Sequence, residues 1–158
     1  MKKFILLLVL VAGISLTTSA QDLNKIMADL AKIEGAVHQV VNKETLDTSL
    51  KGQKENLPSV VEKLTSVEVV VLENGPVELS DSLANELSNF KDGNGFATLL
   101  TVKDGTDKVR IISHKEDDST TSVYVIVIDE EDIVFVKMTG NLTEEDIAEI
   151  VKEQQKKK

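Results

Sequence analysis

The sequence predicts an α+β fold. It is expected to form a single domain over residues 21–158, with a mostly antiparallel sheet, a C-terminal four-strand meander, helices packed on the sheet and a C-terminal helix. Three observations lead there. Leu23, Ile26, Leu30 and Ile33, and later Leu79, Leu83, Leu87 and Phe90, recur at helical spacing. From Phe96 onward, four runs rich in β-branched residues follow one another, separated only by short polar turns. After Thr143 the pattern returns to a capped amphipathic helix.

The first twenty residues stand apart. Lys2 and Lys3 form a positive head, Phe4 to Leu16 is apolar apart from Gly13 and Ser15, and Thr18-Ser19-Ala20 ends the stretch with small residues. That is the pattern of a secretory signal peptide, residues 1–20, cleaved between Ala20 and Gln21. The apolar run falls short of the ~20 residues a membrane span needs. The sequence has no cysteine to carry a lipid. A periplasmic or secreted protein with no stable membrane anchor after cleavage is therefore expected.

The remaining elements read in order. Asp22 to Glu34 is a helix, stopped by Gly35, and Ala36 to Val41 is a strand that holds His38. Lys43 to Leu50 reads as a brief helix ended by Gly52, and "KGQKENLP" as an exposed loop. Pro58 opens a helical turn through Leu64. Val67 to Leu72 is a strand broken by Asn74-Gly75-Pro76, and the helix marked by Leu79 to Phe90 ends near Gly93. The meander consists of "FATLLTV", "KVRIIS", "SVYVIVI" and "IVFVKMT". Tyr124 to Ile128 is apolar at consecutive positions, which predicts a central strand covered on both faces, with Ile126 and Val127 both buried. In the final helix Thr143 is the cap, Asp146 its short-armed capping-box partner, and Leu142 and Ile147 a hydrophobic staple. Ile147, Ile150 and Val151 form its buried stripe, while Glu144, Glu145 and Asp146 sit at the positive end of the helix dipole.

Composition argues against several functions. The net charge is −9, and loss of Lys2 and Lys3 makes the remainder more acidic. Such a surface repels phosphates, so no nucleic-acid partner is expected. There is no tryptophan and one tyrosine, Tyr124, in a position expected to be buried, so sugars lack aromatic platforms. Neither a Gly-x-Ser-x-Gly elbow nor a phosphate loop is present. The metal candidates are His38, His114, Glu116, Asp117, Asp118 and the knot Asp129-Glu130-Glu131-Asp132. Two distant histidines do not make a zinc site, and neither acidic run has the alternation and central glycine of a calcium loop. The knot reads instead as a solvated hairpin tip. No catalytic, cofactor-binding or metal residue is expected.

"EGAVHQVVNKETL", "GFATLLTVKDG" and "VIDEEDIVFVKMTGNLTEEDIAEI" are spread across the chain. On these the sequence resembles domain-of-unknown-function family 4252, small exported Bacteroidetes proteins, although it is poorer in aromatics near the first helix. The resemblance implies an envelope location and a compact α+β fold, and no activity. Taken with export, Asp81-Ser82-Leu83 and Asp118-Ser119-Thr120 resemble the O-glycosylation motif of exported Bacteroidetes proteins, with Ser119 in a turn expected to be better exposed than Ser82. Ordinary helix-start and turn chemistry is the simpler account of both triplets. The expected function is a non-enzymatic envelope module that binds a protein or peptide through a sheet edge or helix groove. One alternative is a regulatory component of an envelope stress system, since the resemblance implies sigma and anti-sigma genes nearby. A weaker one is a hydrolase using clustered carboxylates.

Overall fold

The structure, a computed structural model, describes residues 23–53 and 57–156. The signal peptide with its cleavage site at Ala20 and Gln21 lies outside the described residues, as does part of the "KGQKENLP" loop.

The elements are α1 (Leu23–Ala31), β1 (Val37–Asn42), α2 (Lys43–Ser49), α3 (Val60–Lys63), β2 (Leu64–Leu72), α4 (Val77–Ser88), β3 (Phe96–Asp104), β4 (Asp107–Lys115), β5 (Thr121–Ile128), β6 (Ile133–Gly140) and α5 (Glu144–Lys156). All six strands join one sheet in the order β1-β2-β6-β5-β4-β3. Every pairing is antiparallel. The predicted meander, β3 to β6, is present. Its last strand is not an edge, because β2 pairs along its far side.

Side chains alternate between the two faces of a strand. Along β5, Tyr124, Ile126 and Ile128 join the core made with α1 and α4, which also holds Leu23, Met27, Leu83 and Leu87. Val123 and Val125 point the other way and pack with Val60, Leu64, Leu142 and Ile150. The strand therefore has cover on both faces, as its uninterrupted apolar run predicts. Each fully buried aliphatic side chain contributes about 1.5–3 kcal/mol. Val127 departs from the expectation: it packs against the second-face cluster but is only half-buried.

Other boundaries shift for local reasons. α1 ends at Ala31 rather than Glu34. Lys32 and Ile33 bond back to Asp29 and Leu30 in a tightening turn, yet Ile33 still reaches the core. β2 begins at Leu64, three residues before the predicted Val67, since Leu64 pairs with Gly140. In α5 only Ile150 of the predicted stripe is fully buried, with Ile147 and Val151 half-buried against it. The capping box is in place: Asp146 accepts from the Thr143 backbone N–H at 2.7 Å, and the Thr143 hydroxyl oxygen accepts from the Asp146 N–H at 3.3 Å.

Candidate functional site

The acidic knot is the tip of the β5–β6 hairpin, closed by a bond from the Asp129 N–H to the Asp132 carbonyl at 2.9 Å. All four residues are exposed. Two of the acids serve the backbone. Asp129 accepts from the Glu130 N–H at 2.6 Å and from the Thr106 hydroxyl at 3.1 Å, and these bonds hold its carboxyl below the usual range. Asp132 accepts from the Asn74 N–H at 2.9 Å, and the Glu131 carbonyl from Gly75 at 2.7 Å. The tip thus fastens the β2–α4 loop.

The remaining metal candidates do not converge. Among the described residues no three histidine or acidic side chains are grouped to hold an ion. His38 lies on the edge strand and pairs with Glu68 across to β2 at 2.8 Å. His114, on β4, stacks flat on its cross-strand neighbour Phe96 with ring centroids 3.8 Å apart. Gly95 makes this approach possible, because a β-carbon there would meet the Lys115 carbonyl and the His114 ring. Asp117 accepts from the Ser119 backbone and hydroxyl, which depress its carboxyl. Glu116 accepts from Ser122 at 2.6 Å and lies 3.5 Å from Lys137, whose amine also donates to Asn24. These acids are committed to turns and pairs.

The two glycosylation-like serines differ in setting. Ser119 is exposed in the β4–β5 turn. Ser82 is half-buried in the second turn of α4, not at a helix start.

What the sequence did not single out is the contrast between the sheet's two edges. The β3 edge carries a bulge between Thr98 and Leu100 and ends in Lys103 and Asp104, features that discourage pairing with another strand. The β1 edge has none of these. Val37–Asn42 contains no Asp, Glu, Lys, Arg or proline and pairs with β2 without irregularity. Val37 is 55% exposed and Val40 63%. They lie on opposite faces.

Val37 also begins a continuous apolar row. Register places Val37 beside Val71, then Val134, Val127, Val109 and Val102, one valine on each of the six strands. The five beyond Val37 are half-buried. The row runs across the second face, where Val109 and Val127 pack against the cluster that includes Ile150 of α5. Only the cross-strand register, invisible to local pattern reading, assembles it.

The model of one protein family, described as a domain of unknown function (DUF4252), matches residues 18–150 of the chain. No curated protein sequence matches it.

Proposed function

We propose that this chain, which belongs to the DUF4252 family, is an exported, non-enzymatic module of the cell envelope that binds an extended segment of a partner protein along the free edge of β1. The observation that carries this reading is the character of this edge: six residues with no Asp, Glu, Lys or Arg among them, and one exposed valine on each face. In strand addition the backbone of the edge supplies the hydrogen bonds, and alternate side chains supply selectivity. A partner strand with an apolar residue beside Val37 would extend the valine row. The commitment of the acids to turns and ion pairs supports a binding rather than a catalytic role.

The export part is tested by mass spectrometry of the native protein, where an N-terminus at Gln21 is expected and a retained Met1 in the membrane fraction overturns it. For the binding part, a photo-crosslinking residue is placed at Val40 and, as a control, at the exposed Thr101 on the β3 edge. A discrete protein adduct is expected from position 40 alone, lost when Gln39 is also replaced by proline. Equal adducts from both edges would sink the edge assignment.

A further inference from the structure

A groove of about 330 Å³ lies on the first face between α4 and the β3–β4 hairpin. Its wall and floor include Leu87, Ile126 and Ile128, all buried members of the core. Its rim is cationic. Register puts Lys108 beside Ile128 and Lys103 beside Lys108, and puts Arg110 beside Ile126, so the apolar floor passes into positive charge toward the sheet edge.

Three features set this rim apart from lysines that merely cover a core with their stems. First, Lys103 and Lys108 are directly opposed across two strands, an arrangement that is destabilising for like charges. Second, among the described residues neither forms an ion pair, although the chain carries 27 acidic residues against 18 basic ones. Third, Arg110 is fixed in place by bonds to the Phe90 carbonyl and the Thr98 hydroxyl at 3.2 Å each, while its Nε is buried with no acceptor among the described residues. Burial lowers the guanidinium's pKa, and the charge of Asp92 opposes that effect. Two lysines that form no ion pair among the described residues, beside an anchored arginine and an apolar floor, match a ligand with an anionic head and an apolar body.

We propose that this groove binds a small amphiphilic carboxylate, with its chain on Leu87, Ile126 and Ile128 and its head at Lys103, Lys108 and Arg110. At ~30 Å³ per atom the groove accommodates about ten non-hydrogen atoms, the size of a medium-chain fatty acid. The site lies away from β1 and stands independently of strand addition there.

The test uses the full purified chain at low salt, with octanoate, octylammonium and octyl phosphate as probes of one chain length. Methyl NMR should show saturable octanoate binding, with shifts centred on Leu87, Ile126 and Ile128. Octylammonium should bind at least tenfold more weakly. The Lys103→Gln/Lys108→Gln variant should lose at least tenfold in octanoate affinity while melting no lower than the wild type, since it relieves a like-charge pair. Absence of saturation, equal binding of both chain ends, or octanoate affinity unchanged in the variant would overturn the proposal. Tighter binding of octyl phosphate than of octanoate would overturn the carboxylate assignment.

Discussion

Lys63, the last residue of α3, donates to both carboxylate oxygens of Asp146, the third residue of α5, at 2.8 Å each. The same carboxylate caps its own helix through Thr143, whose N–H and hydroxyl it accepts at 2.7 and 2.8 Å. Asp146 is 4% exposed. One side chain therefore ends the capping box and joins two elements 83 residues apart.

The Lys63 bond and the Thr143 bonds hold the Asp146 pKa at about 2. In the unfolded chain an aspartate titrates near ~3.9. The folded value is the lower one, so the stabilisation is fully present above about pH 4 and is lost as pH falls toward 2. Asp146→Asn should lower the melting temperature at pH 7 and flatten its decline over that acid window. Thermal melts from pH 7 to pH 2 check it, and parallel curves for variant and wild type would refute it.

Ile126 and Val127 are neighbours with different fates, 1% exposed and half-buried respectively. Ile126→Ala should destabilise by about 2–5 kcal/mol, the range for large core truncations. Val127→Ala should cost under about 1 kcal/mol, since little buried surface is lost. Urea titrations giving equal midpoints for both variants would contradict the burial on the two faces of β5.

Within the acidic knot the four residues should not behave alike. Glu130→Gln/Glu131→Gln should change stability by no more than about 0.5 kcal/mol, as exposed substitutions do. Asp132→Ala should cost about 1 kcal/mol, because it removes the acceptor that holds the Asn74 N–H. Calcium should leave the melting temperature unchanged. A calcium-dependent rise that disappears in the knot variants would make the tip an ion site.

Gly140 ends β6 where it crosses the junction of α3 and β2. A β-carbon there would collide with the Lys63 carbonyl and crowd the Leu64 backbone. Gly140→Ala should cost about 1–3 kcal/mol, the range for overpacking, and should also disturb the Lys63–Asp146 pair next to it. Chemical denaturation measures the loss, and wild-type stability would show that the junction yields.

The local order of the molecule was written in the sequence. Apolar spacing set α1, α4 and α5, the β-branched runs set the meander, and Thr143 with Asp146 marked the start of α5, because each signal is complete within a few adjacent residues. The solvated knot was equally legible, since a polar run between two β-rich segments has one simple reading. Membership of the DUF4252 family followed from motifs of the same structural kind. Tertiary structure alone decided the rest. The pairing of β2 with β6 left β1 as the edge strand of the sheet among the described residues, and antiparallel register aligned six valines and opposed Lys103 to Lys108. The same pairing turned Asp146 from a helix-end charge into a buried partner of Lys63. These relationships join residues far apart in the chain, and no local periodicity encodes which strand will lie beside which.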